Sequence, residues 1–280
     1  MSDDLGLSFQ TTASWFPVDK QPSHVRIRVT ATQAAALPGA LSLALRRCYL
    51  TDERVNAQSA QFPPPQVIAA GLPSPGATMA GDFGEILTYF YQGTTVLPNA
   101  AIGLKKWRLK QDRTKPAPYS DVVHLVLPDW PNPSTKDAVL CSEVKTKSTS
   151  APSSPIESSI EDCDKDRTSR LTKTLLWLRD RAVTGSAEGA SYQQLNRFID
   201  CAGLPVAGRQ FHAVSVICES LVKAELASVP GKASPNYTLV VISVPNLKTT
   251  YEAVFKAAMS AVPPPPPLAT LKNVIGGAST

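Results

Sequence analysis

The chemistry in this chain gathers around Cys141-Ser142-Glu143-Val144-Lys145-Thr146-Lys147, where an acidic residue, one spacer and a lysine follow the apolar run Ala138-Val139-Leu140-Cys141. Upstream, across an intervening hairpin, Ser120-Asp121 opens a second apolar run, Val122 to Leu127. Hydrolysing a phosphodiester near neutral pH needs an activated water and positive charge for the phosphoryl oxygens. A divalent cation supplies both when two carboxylates fix it and leave other positions open. Asp121 at the mouth of one strand and Glu143 on its neighbour offer two hard oxygens to one ion, with the Val144 carbonyl as a further donor. Side chains reverse direction at each residue of a strand, so Glu143 and Lys145 share a face. Lys145 is then placed to orient or deprotonate the attacking water, or to steady developing charge. A site of oxygens without His or Cys favours a hard cation, Mg2+ first, with Mn2+ as its substitute. A plain cross-strand salt bridge on an exposed strand remains the other reading of the Glu143–Lys145 pair.

Further candidates flank this core. Glu85 lies in Gly81-Asp82-Phe83-Gly84-Glu85-Ile86-Leu87, where Phe83, Ile86, Leu87 and Phe90 have helical spacing. Glu85 is either a third acid facing the ion or a solvated helix charge. Gly81 and Gly84 either allow close approach of helix to sheet or start the helix. Lys105, Lys106, Arg108 and Lys110 surround Trp107, a mixture that suits a phosphate-tracking groove and equally a solvated strand face with the tryptophan in the core. Lys147 extends the basic side of the Glu-x-Lys strand. Arg167, Arg170 and Lys173 recur at i, i+3 and i+6 on the following helix, either to hold a phosphate or to pair with Asp164 and Asp166. His124 and His212 sit in apolar strands and read as structural. Ser/His/Asp catalysis has no supporting motif, and the GxxxxGK phosphate loop is missing, which argues against an ATPase.

The elements that must position these residues follow from periodicity. Residues 1–78 read as an α+β layer of their own, with an alternating strand at His24 to Val29 and a short helix at Leu41 to Leu50. From 79 to 262 the order is a helix, a basic strand from Asn99 to Lys110, strands at Tyr119 to Leu127 and Ala138 to Thr146, and a Ser/Pro/Thr-rich loop from Ser148 to Ser159. A long helix from Ile160 to Ala182 comes next. A helix at Ser191 to Ala202, strands at Phe211 to Cys218 and Tyr237 to Val244, and helices near Ser220 to Ala227 and Thr249 to Met259 complete the unit. This pattern predicts an α/β fold, a mixed β-sheet flanked by helices, with an N-terminal α+β extension. Residues 263–280 begin with a polyproline run and read as a tail.

Composition bounds the rest. A chain of 280 residues with 43% apolar residues can bury a full core, and the net charge of +5 is compatible with a nucleic-acid partner without requiring one. Five cysteines, odd in number and without a CxxC pair, argue against a disulfide framework or zinc site and for a reducing cytoplasm. No signal-peptide pattern opens the chain, and no apolar run approaches the roughly 18 residues of a membrane span.

Ser120-Asp121 followed by Ser142-Glu143-Val144-Lys145 resembles the PD-(D/E)xK nuclease superfamily. Four segments together resemble the HamA-type nuclease subunit of Hachiman anti-phage defence systems: Gly81 to Leu87, Ser142 to Lys145, Asp166 to Leu175, and Tyr251 to Phe255. The resemblance implies a restriction-endonuclease-like core and a metal-dependent DNase in the bacterial cytoplasm. It further implies DNA and a helicase subunit of the same system as partners, and a site role for Glu85. Two departures stand out: a serine precedes Asp121 where a proline is common, and no glutamine on the helix after Glu-x-Lys is placed to match the RecB-type motif. An adaptor that binds DNA without cleaving it, and an RNase toxin using the same site, are the alternatives.

Overall fold

The computed structural model describes residues 4–185, 189–227 and 231–263. The strands are β1 (Val18–Lys20), β2 (Val25–Arg28), β3 (Ala101–Gly103), β4 (Val122–Val126), β5 (Ala138–Lys147), β6 (Gly208–Cys218) and β7 (Thr238–Val244). They form one seven-stranded mixed sheet in the order β1-β2-β7-β6-β5-β4-β3. The contiguous strands β2, β7, β6 and β5 run parallel, while β1, β4 and β3 add antiparallel edges. The helices are α1 (Phe9–Thr12), α2 (Ala31–Tyr49), α3 (Asp52–Gln58), α4 (Pro64–Gly71), α5 (Ala77–Thr94), α6 (Pro155–Lys165), α7 (Leu171–Val183), α8 (Tyr192–Asn196), α9 (Glu219–Leu226) and α10 (Leu247–Met259). This is the α/β architecture that the periodicity predicts.

Parallel strands covered on both sides must be apolar on both faces, and β6 and β7 are. Val214, Val216, Val240 and Ile242 face one core together with Leu41, Phe83, Phe90 and Phe255. Ala213, Ile217, Leu239 and Val241 face the other, with Ile156, Leu171, Leu175 and Leu178. Each fully buried Val, Ile or Leu there contributes on the order of 1.5–3 kcal/mol.

Four sequence expectations change in the structure. Residues 1–78 do not stand apart: β2 lies parallel to β7 with Val25 opposite Val240, α2 packs on α10, and Leu5, Ile27 and Leu45 share the Phe83 core. The short helix expected at Leu41 to Leu50 is the second half of α2, which starts at a Thr30–Gln33 capping box and carries Pro38 inside it. Proline disfavours a helix interior, so the local pattern hides the first half, while burial of Ala34 and Leu37 holds it. The basic strand expected from Asn99 to Lys110 is β3 for three residues only, followed by a 3-10 turn over Lys106–Leu109. The expected helix over Ser191 to Ala202 shortens to α8. Apart from Pro263, the proline-rich tail lies outside the described residues. Among the described residues no helix is long and apolar enough to cross a membrane.

Candidate functional site

The site lies where β5 outruns β4. Their ladder ends at Val122 opposite Ser142, and β5 continues five residues further, Glu143 to Lys147, held on its other side by β6. The backbone edge exposed by that overhang is closed by a side chain: Asp121 Oδ2 accepts the Val144 N–H at 2.8 Å. Asp121 therefore sits at the junction of the two strands, where the sequence places it. Alternation then turns Glu143 and Lys145 to the α6–α7 face, and Ser142, Val144 and Thr146 toward α5. A cleft of about 1300 Å³ opens over this overhang and is lined by Glu85, Asp121, Glu143 and Lys145.

The helix expected after Glu-x-Lys is present as α6 and α7 joined through one turn of π-helix, Asp166–Arg170. A π-turn widens the helix and shifts which residues face inward. Asp166 points to Ser120 Oγ at 2.9 Å, and Arg170 reaches Glu143 Oε2 at 2.9 Å. The Ser120 N–H donates to Thr174 Oγ1 at 3.1 Å, and its carbonyl accepts from Lys106 Nζ at 2.7 Å. Every polar group of Ser120 is thus tied down, which fixes the backbone just before Asp121.

Charge is dense here. Lys145 Nζ bridges Glu143 Oε1 at 2.8 Å and Asp162 Oδ2 at 2.5 Å. Lys106 Nζ stands 3.5 Å from Asp121 Oδ1 and 3.7 Å from Glu85 Oε2, and Trp107 Nε1 donates to Glu85 Oε2 at 2.9 Å. Burial, then the neighbouring Asp121, pushes the Glu143 carboxyl up to about 9, with Lys145 pulling the other way. Burial pushes Glu85 up to about 8 against the pull of Lys106. Burial alone would lower Lys145, but Glu143 and Asp162 outweigh it and hold the ammonium protonated well above its ordinary range. Burial likewise opposes the charge on Lys106, and Glu85 and Asp121 again prevail. Both Glu143 oxygens already hold a cation, so this is a place where positive charge is stabilised.

Asp121, Glu143 and the Val144 carbonyl are oxygen donors of the kind a hard cation takes. No three His, Cys, Asp or Glu side chains among the described residues gather into a metal cage. Glu85 approaches from α5 with the Lys106 ammonium between it and Asp121.

The basic residues expected at a nucleic-acid surface divide sharply. Lys105, Lys106 and Arg108 are buried, and Lys110 is nearly so. Lys105 and Arg108 pair with Asp4 at 2.9 and 2.7 Å, and Lys110 with Asp82 at 2.7 Å. Their cations turn inward because the 3-10 turn, unlike a strand, lays Trp107 in the core and wraps its neighbours around acids from other elements. Lys147 pairs with Glu225 at 2.7 Å. Arg170 is on Glu143. Lys173 alone of the set is exposed, and it lines the cleft. Arg167 pairs with Asp164 at 3.3 Å, the alternative foreseen for it. Asp162 and Asp166 are site members that sequence reasoning did not assign as such, and Lys106, expected on a phosphate-tracking groove, instead stands between Glu85 and Asp121. Asp162, one helical turn before Asp166 and two turns before Arg170, carried the only local signal. Gly84 is mid-helix, and a Cβ there would strike Thr146 Oγ1, so it does permit close approach of α5 to β5; a Cβ at Gly81 would meet nothing.

Residues 41–258 match the family model described as HamA. No curated protein matches the chain.

Proposed function

The chain belongs to the HamA family, anti-phage defence proteins of the Hachiman type, and from that premise we propose that it is a metal-dependent nuclease hydrolysing DNA phosphodiester bonds. The observation that carries this reading is the opening of Asp121, Glu143 and Lys145 onto one cleft at the uncovered end of β5. Asp121 and Glu143, with the Val144 carbonyl, would hold the divalent ion, Mg2+ or Mn2+. When bound, the ion supplies an acidified water and a Lewis acid for the phosphoryl oxygen.

The chain's own residues do the rest. Lys145, held protonated by Glu143 and Asp162, donates rather than accepts a proton. It therefore orients the water or neutralises a phosphoryl oxygen, and a base role is disfavoured. Arg170, on the far oxygen of Glu143, keeps that carboxylate in one rotamer and adds positive charge facing the cleft. Lys106 compensates the charge between Glu85 and Asp121. We further infer that DNA and a helicase subunit of the same defence system are its partners, a reading supported by family membership alone.

Circular single-stranded DNA and supercoiled plasmid, each incubated with the purified chain and Mg2+ or Mn2+, beside a Glu143→Ala/Lys145→Ala variant, test the assignment. Nicking by the wild type, lost about 10²-fold or more in the variant, is expected. Equal nicking by both removes the assignment. Wild-type protein that binds DNA but leaves it uncut with either ion returns the chain to an adaptor role, and cleavage of RNA but not DNA to the toxin reading.

A further inference from the structure

Resting on the reading of the cleft as a site of phosphodiester cleavage, we propose that Tyr119 is a platform for an unstacked nucleobase, which makes single-stranded DNA the substrate class. The first observation is backbone. Tyr119 has φ +67°, and apart from Asn246 it is the only described non-glycine residue with positive φ. That region is an outlier for a bulky side chain and points to a function when the surroundings impose it. Here they do: Ser120, the next residue, is pinned through its N–H, hydroxyl and carbonyl by Thr174, Asp166 and Lys106. The chain cannot relax without releasing Asp121.

The second observation is where the ring goes. It is 41% exposed and lines the cleft two residues from Asp121, instead of packing in either core. One edge is braced by Trp177, with ring centroids 5.8 Å apart at 63°. Trp177 is in turn covered by the Arg181 guanidinium, 4.8 Å from its ring centroid. The Tyr119 ring is thus a supported aromatic surface beside the reacting groups.

The third observation is the track. Lys173, Trp177 and Arg181 are spaced by four on α7, one ridge with a rise of about 6 Å per step. Cation, aromatic and cation alternate along it, the arrangement that follows a single strand by phosphate contact and base stacking. Pro116 and Pro118 line both the main cleft and a hollow of about 330 Å³ that reaches Trp177 and Arg181, so the ridge continues past Tyr119. Stacked duplex bases offer no free face to Tyr119; an unstacked base does.

The test is binding without metal. A fluorescein-labelled thymidine oligonucleotide and a labelled duplex of equal length are titrated in EDTA, at one salt concentration, with full-length protein. Wild type is expected to bind the single strand more tightly. Tyr119→Gly, which keeps the left-handed backbone at ease, should melt within about 3 °C of wild type. It should lose about tenfold in single-strand affinity and change duplex affinity by less than about twofold. Tyr119→Asn, tolerant of the same backbone, should behave alike, and Tyr119→Phe should bind like wild type. Equal losses on both polymers, no loss in the glycine and asparagine variants, or a wild type with no single-strand preference would overturn the proposal. Because no metal is present, failure to cut either a single-stranded circle or a plasmid with this binding pattern intact would sink the nuclease reading alone.

Discussion

Ser142 and Glu143 are neighbours on β5, yet they enter two polar networks of opposite kind. Ser142 faces α5, where its hydroxyl donates to Gln92 Oε1 and also lies 3.3 Å from His212 Nδ1. The Gln92 amide donates to the Leu140 carbonyl at 3.1 Å and to His124 Nδ1 at 3.0 Å, which puts the His124 proton on Nε2. Every member is neutral, since burial, with Lys105 adding to it, pushes His124 down to about 3, and burial pushes His212 to about 4. Glu143, one residue on, faces α6 and α7 and is gripped by Lys145 and Arg170, which share Asp162. The neutral network lies between sheet and helix and locks α5 to β5. The charged one opens on the cleft, and each of its ion pairs has a second partner close by. Alternation along a single strand thus separates a structural device from a chemical one, with no loop needed to isolate them.

The largest test of that separation is a pair of substitutions one residue apart. Glu143→Gln should reduce metal-dependent plasmid cleavage by about 10³-fold while changing the melting temperature little. Ser142→Ala should leave cleavage within about threefold but cost about 1–3 kcal/mol, because Gln92 Oε1 loses its donor in a buried place. Similar activity losses in both variants would mean that the two faces act as one network.

Acid should then strike the neutral face. The folded pKa of His124 lies far below its ordinary 6.5, so the stability it contributes is complete above about pH 6.5 and is lost as pH falls toward 3. Its loss amounts to about 5 kcal/mol at the acid end. Urea unfolding between pH 7 and 4 should show this slope, and His124→Gln should lessen it, leaving the part that His212 carries. An unchanged slope in that variant would place the acid sensitivity elsewhere, on His212 or on the charged face.

How much of this can be read without coordinates depends on how local the determining contact is. The apolar runs that become β4 to β7, and the leucines of α7, act on their own neighbours, so periodicity finds them. Asp121, Glu143 and Lys145 are legible because strand alternation and a hairpin are local rules. The inward turn of Lys105 to Lys110 is not legible: its acids, Asp4, Asp82 and Glu85, come from other elements, and an interleaved basic-aromatic stretch looks the same whether its cations meet phosphate or protein. The pairing of β2 with β7 joins Val25 to Val240 across nearly the whole chain and leaves no trace in either segment alone. The π-turn that delivers Asp166 and Arg170 is equally hidden, since its residues fit an ordinary helix.

Thr174 tests whether the charged face depends on its support. Its hydroxyl accepts from the Ser120 N–H and lies 3.0 Å from Ser120 Oγ. Thr174→Val keeps the shape but strands a buried N–H, so about 1–2 kcal/mol of stability should be lost. Cleavage should fall about tenfold as Asp121 loses its fixed approach. A variant that is destabilised yet fully active would show that Asp121 is held in place without Thr174.

The smallest effect contrasts the exposed and buried basic residues. Lys173 lines the cleft with its side chain in solvent, whereas Lys105 is buried against Asp4. If Lys173 meets a phosphate of a single strand, Lys173→Ala should lower the slope of log affinity against log salt by about 0.7 and weaken binding several-fold. Lys105→Met should leave that slope unchanged and lower the melting temperature instead, because its charge is spent inside the protein. A drop in salt slope for Lys105→Met would mean that the 3-10 turn opens on binding and presents its cations to DNA. The inward packing of Trp107 and Arg108 on two separate elements opposes that opening.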